Sequence, residues 1–183
     1  ITGSMLVNGV EHAYRYDLGT RQALDLGVLG SPKLASWGEP GPWSRGLCIN
    51  DSNQVVGQTT VAGIYYARAF RSDGQVMTNL GVLSGSAYSG SLACSINNRG
   101  QIIGKSWNYQ KVSSPVRAQF LYTAETGMVS LWSLVRNPPA GISAADFADD
   151  GWNATTLVTI NDAGQICGTT ATADLPYVLT PNQ

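Results

Sequence analysis

The chain holds few of the side chains that enzymes use for proton transfer or nucleophilic attack. His12 is its only histidine. No Gly-x-Ser-x-Gly phrase offers the strained turn on which a serine nucleophile is exposed. His12 instead stands in the phrase His12-Ala13-Tyr14, beside an aromatic residue, where a structural role is expected. Two carboxylates held ~5–10 Å apart could do glycosidase-type acid–base work, but the 12 acidic residues allow many pairs and no pattern selects one. Cys48, Cys94 and Cys167 are odd in number and lack Cys-x-x-Cys spacing, so neither a zinc site nor a full disulfide framework is signalled; they read as small buried thiols in strands. No catalytic residue and no organic cofactor is assigned, and the reading leans away from an enzyme.

Binding chemistry has better candidates. Asp146, Asp149 and Asp150 lie together in the segment Asn137–Thr156, and hard carboxylate oxygens of this kind suit calcium. Their spacing departs from the D-x-D-x-D-G loop, so an acidic turn or helix cap is the competing expectation, with AADFADD forming one short helical turn. Trp37 and Trp43 sit in a Pro/Gly-rich segment, Ser31–Gly46, among Lys33, Glu39 and Arg45. They could stack on sugar rings or anchor a protein interface, or they could cover the end of a sheet as loop packing. Trp107, near Tyr109, could share that surface. Asn153-Ala154-Thr155 is a glycosylation sequon only in a eukaryotic secretory setting.

The elements that must position these residues follow from composition and repetition. At 183 residues the chain fits one domain. Charged residues make up 13% and the net charge is −1, which provides no field for a phosphate backbone or an anionic membrane. Nucleic acid is not an expected partner. No apolar run reaches the ~18–20 residues of a membrane span.

One phrase recurs: CINDSNQVVGQT around Asn50, SINNRGQIIGKS around Asn97 and TINDAGQICGTT around Asn161. The opening ITGS matches its second half, which aligns Gly3 with Gly57, Gly104 and Gly168 at separations of 54, 47 and 64 residues. An aromatic follows each glycine: Tyr14, Phe70, Phe120 and Tyr177. A third phrase, DLGVLG near Leu26 and NLGVLSG near Leu80, degenerates to SLWSLV near Leu131. Each phrase is short, rich in β-branched and aromatic residues, and bounded by Asn, Asp and Gly, as short strands are. Asn50, Asn97 and Asn161, with Gly57, Gly104 and Gly168, are assigned as structural turn residues.

Calling the strands a (before the Asn turn), b (through the Val-Val-Gly phrase), c (around the aromatic) and d (the Leu-Gly-Val-Leu phrase) gives an all-β chain. It is read as a β-propeller-type array of four-stranded antiparallel repeats, about three and a half of them, with about fourteen strands. The domain is 1–183. Its repeats run approximately 1–42 (partial), 43–89, 90–136 and 137–183 (partial, with the insertion 137–156).

INDSNQVVG, HAYRY and LDLGVLG together resemble the HAF-family extracellular repeat, named for a His-Ala-Phe phrase that His12-Ala13-Tyr14 matches and Arg68-Ala69-Phe70 matches less closely. The resemblance covers almost the whole chain and weakens in the third copy, where Gln119 interrupts the Ala-aromatic pair and Trp132 replaces a glycine. It implies a bacterial protein that is secreted or displayed at the cell surface, folded as a propeller. It brings no assigned activity. The chain begins inside a repeat, so a C-terminal fragment of a longer repeat protein is expected. Its partners would be the upstream fragment of the same parent, further copies of the chain, or an extended assembly, since half-repeats leave unpaired strand edges. The expected function is a noncatalytic module for protein interaction or extracellular structural assembly. The alternative is a lectin-like propeller binding glycans through Trp37, Trp43 and Trp107; a secreted hydrolase using Asp146, Asp149 or Asp150 is the third reading.

Overall fold

A computed structural model describes residues 1–30, 41–84, 89–108, 116–148, 158–172 and 175–181. Trp37, Tyr109, Asp149, Asp150 and the sequon lie outside these residues. The described chain is all-β apart from one short helix and one 3₁₀ turn, and it forms four antiparallel sheets. The first is β1 (Thr2–Val7), β2 (Val10–Asp17) and β3 (Gln22–Gly27). The second is β4 (Ser44–Ile49), β5 (Val55–Thr59), β6 (Arg68–Ser72) and β7 (Met77–Gly81). The third is β8 (Gly90–Ile96), β9 (Ile102–Asn108), β10 (Val116–Thr123) and β11 (Gly127–Ser130). The fourth is β12 (Val158–Ile160), β13 (Ile166–Thr169) and β14 (Pro176–Leu179). Strands pair in chain order within every sheet.

Local chemistry explains the hairpins. Asn8 and Gly9 take φ of 51° and 82° between the paired Val7 and Val10, the left-handed conformations that a two-residue hairpin turn requires. Between strands a and b, Asn53, Gly100 and Gly164 occupy one equivalent position with φ of 60°, 74° and 80°. There Asn and Gly substitute for one another because both tolerate that region.

The sheets pack face to face in chain order, each strand a lying on the preceding sheet: β4 on β1 and β2, β8 on β4, β5 and β6, β12 on β8 and β9. The strand b phrase explains this stacking. Of its two apolar residues the first faces backwards and the second forwards. Val55 joins Ala13 and Phe70 at the first seam, Val56 and Ile102 meet at the second, and Ile103 and Ile166 meet at the third. A sheet with apolar residues on both faces must be covered on both.

Gly57, Gly104 and Gly168 are not turn residues: they lie within β5, β9 and β13. Their role at the first two positions is to admit close neighbours. β4 and β8 bulge between Gly46 and Cys48 and between Ala93 and Ser95. A side chain on Gly57 or Gly104 would collide with the carbonyl oxygen of Arg45 or Leu92 and with the ring of Phe70 or Phe120.

A second repeated device went unread in the sequence. β2–β3 and β6–β7 each shift register at Ala13/Tyr14 and Ala69/Phe70. At the first and second seams a serine from the next sheet enters this irregularity. Ser44 Oγ accepts from Ala13 N at 2.7 Å and donates to Gly27 O at 2.5 Å. Ser91 Oγ accepts from Ala69 N at 2.9 Å and donates to Gly81 O at 2.5 Å. Replacing Ser91 by Ala therefore strands a buried N–H and a carbonyl together, and urea denaturation is expected to show a loss of ~2–3 kcal/mol.

Candidate functional site

The three Asn turns form a continuous hydrogen-bonded ladder across the second, third and fourth sheets. In each turn the Asn side chain closes its own loop: Asn50 Oδ1 accepts from Gln54 N at 2.9 Å, Asn97 Oδ1 from Gln101 N at 3.0 Å and Asn161 Oδ1 from Gln165 N at 2.9 Å. The Nδ2 groups donate to the Oε1 atoms of the same glutamines at 2.8–2.9 Å. The second proton of Nδ2 then reaches the next repeat. Asn50 donates to Asn97 O and Asn97 to Asn161 O, both at 3.0 Å. The Asn residues expected to be turn residues thus also join the sheets.

The residue after each Asn forms a parallel outer rail. Asn98 Oδ1 accepts from Asp51 N, and Asn98 N donates to Asp162 Oδ1, each at 2.8 Å. Asn98 Nδ2 bridges the Asp51 and Asp162 carboxylates at 2.7 and 2.8 Å. Sequence reasoning missed these three residues, although their Asp/Asn character at one fixed position in every phrase was a usable signal. Beside this rail, Arg71, Arg99 and Glu125 line a cleft of about 460 Å³ together with Gln54 and Gln101.

Of the three tryptophans expected to form a stacking surface, Trp43 and Trp107 are among the described residues. Trp43 is 7% exposed, and the Arg45 guanidinium sits 4.6 Å from its ring centroid. Stacking requires an open ring face, which the buried ring of Trp43 does not present; its backbone forms a parallel bridge with Glu11 of the first sheet. Trp107 is half-buried, its indole lying directly against Gly90. Arg45 also pairs with Glu11 of the first sheet at 2.8 Å, and this hydrogen bond holds the Glu11 carboxyl below its usual range.

Asp146 is a cap. The 3₁₀ turn Ala144–Phe147 starts at Ser143, whose side chain accepts from Ala145 N, while the Asp146 carboxylate accepts from Ser143 N at 2.8 Å, from Ser143 Oγ and from Thr172 Oγ1. This is a capping box. The helical turn expected in AADFADD is present, and both Asp146 carboxylate oxygens already accept from protein donors. Among the described residues no group of three or more His, Cys, Asp or Glu converges on a point.

These bonds, the one from Thr172 foremost, lower the Asp146 pKa. A depressed carboxylate contributes stability above its unfolded pKa and loses that contribution as pH falls through its folded one. Asp146→Asn is therefore expected to destabilise the fold at neutral pH and to flatten the acid limb of the stability profile, read by thermal melts between about pH 7 and pH 3.

His12 Nδ1 lies 2.8 Å from Asp25 Oδ1, an exposed pair across β2 and β3. Among the described residues no serine, threonine or cysteine side chain bonds to its ring, so no nucleophile stands with it. The three cysteines form no disulfide. Cys48 and Cys94 are half-buried, and Cys167 is exposed rather than buried because, among the described residues, the strand b position that faces forward has no sheet in front of it here.

What these elements define is a class: an all-β protein of stacked antiparallel sheets joined by an asparagine ladder. No known family model matches the chain, and no curated protein is significantly similar to it.

Proposed function

We propose that the chain is a noncatalytic repeat module of a β-propeller-type array, secreted or displayed at a cell surface, whose work is to pack against further repeat units. The HAF-like phrases support the repeat assignment. The observation that carries the function is the seam: apolar residues meet at all three junctions, a serine bridges the first and second and an asparagine the second and third, a construction made for joining sheets rather than for holding a reaction. An upstream fragment of the same parent or further copies of the chain would supply those units. Among the described residues no helix is long and apolar enough to cross a membrane.

Light scattering on purified material, with the denatured mass of every component, tests the reading. A particle larger than 19.4 kDa is expected, made either of this chain with an upstream fragment or of several copies. A single-chain particle at all concentrations would count against assembly. Calcium binding at Asp149 and Asp150 and glycan stacking at Trp37 remain proposals for the same sample. Millimolar calcium would raise the melting temperature, and soluble glycans would quench tryptophan fluorescence, if either were its function.

A further inference from the structure

We infer that the outer face of the fourth sheet, carrying Thr159, Cys167 and Val178, is a docking surface for another repeat sheet of this same kind, its Asn turn included. The inference rests on the repeat-module reading and specifies which face does the packing and what it accepts.

The second and third seams show what such a face is for. Cys167 holds the position of Val56 and Ile103, which are 0% exposed beneath the following sheet. Val178 holds the position of Leu121, which packs at the third seam, yet Val178 is 66% exposed. Thr159, Cys167 and Val178 are cross-strand partners, so they form one patch, and a recess of about 270 Å³ lies over it, reaching Asn161 and Gln165. Among the described residues nothing covers it.

The ladder says what fits there. Asn50 and Asn97 each donate Nδ2 to a backbone carbonyl one sheet ahead. Among the described residues Asn161 Nδ2 donates only to Gln165, within its own turn. Asp51 N and Asn98 N each meet a side-chain oxygen of the following turn, while Asp162 N has no such acceptor among the described residues. Asn161 is exposed where its counterparts Asn50 and Asn97 are buried. An apolar ligand would cover the patch and leave both donors unmet. A sheet seated in the register of the interior seams would cover the patch and meet them, its Asn carbonyl taking Asn161 Nδ2 and the next Asp or Asn side chain taking Asp162 N.

Among the described residues the first sheet has no strand in the place of β4, β8 and β12, and so offers no Asn turn. A partner is made by copying residues 43–54 ahead of Ile1, which restores that strand and turn. Cys167→Ser and Val178→Asp in this partner silence its own outer face. The unmodified chain is mixed with it and alkylated, and Cys167 modification is followed by mass spectrometry against half-buried Cys48 and Cys94. The expected result is about tenfold slower alkylation of Cys167, a particle containing both chains, and loss of both effects with Val178→Asp in the unmodified chain. Unchanged alkylation beside a partner shown to be folded by circular dichroism overturns the inference. A second partner, with residues 90–101 in place of 43–54, covers failure of the first to fold.

The same thiol reports without any partner. If the unmodified chain forms the larger particle and Cys167 stays as reactive as in urea, assembly stands and this face is not its site. If the partner protects Cys167 while the unmodified chain alone stays single, the face is confirmed and assembly from copies of this chain alone falls, leaving a unit that carries its own Asn turn as what the module packs against.

Discussion

Gly104→Ala is expected to be among the most damaging single substitutions in this protein, costing ~3–5 kcal/mol. The new methyl would fall at 2.5 Å from Phe120 Cζ and closer still to Leu92 O. The first is a ring 0% exposed in the core, and the second is backbone fixed by the bulge of β8. Neither can retreat without parting β8 from β9 or opening the second seam. Against a total stability of ~5–15 kcal/mol, thermal melting should fall by about 10 °C or more. Gly57→Ala should behave alike, since Arg45 O stands in the same place. The contrast is Gly3, the equivalent residue of the first sheet. There a methyl meets only the tip of Tyr14 at 3.1 Å, because no strand a lies over it, and Gly3→Ala is expected to cost ~1 kcal/mol or less. Equal losses at Gly3 and Gly104 would show that the repeated glycine is not there to admit the neighbouring strand.

Asn97→Asp is the second large effect. The side chains have the same shape, so packing is unchanged, but a carboxylate cannot donate to Gln101 Oε1 at 2.8 Å or to Asn161 O at 3.0 Å. It would place a charge against two oxygens at a site 3% exposed. A loss of ~3–5 kcal/mol at neutral pH is expected, measured by chemical denaturation. Burial and repulsion raise the pKa of such a carboxyl, so the neutral form is favoured in the fold and part of the stability returns as pH falls. Asn161→Asp, exposed and donating only within its turn, should cost ~1 kcal/mol or less. A matched loss at both positions would mean that the inter-sheet bond contributes nothing.

Much of this architecture was legible in the phrases. Apolar pairs bounded by Asn and Gly at fixed spacing indicate strands and turns, and the strands stand where the phrases stand. The roles within the phrases were less legible. Gly57 and Gly104 read as turn residues because glycine punctuates turns; only the bulge of the neighbouring strand, invisible in sequence, reveals that a carbonyl passes over them. Asn50 and Asn97 read correctly as turn formers, but a turn uses one proton of an amide, and the destination of the other depends on how sheets stack. Trp43 carried the opposite error. Its loop is rich in Pro and Gly, which suggests exposure, yet its ring is buried beneath Arg45. Asp146 was more legible: Ser-x-x-Asp before a short helical turn is a capping pattern, and the structure shows that cap with its three donors.

Because the main contacts between sheets, among the described residues, join neighbours in chain order, cooperativity in this molecule is nearest-neighbour in kind. The second and third sheets are clamped on both faces, whereas the first and fourth each have one. Amide protons should therefore exchange slowest in β5 and β9 and fastest in the outer sheets. Any unit that docks on the fourth sheet would slow exchange there first and then, more weakly, one sheet at a time inward.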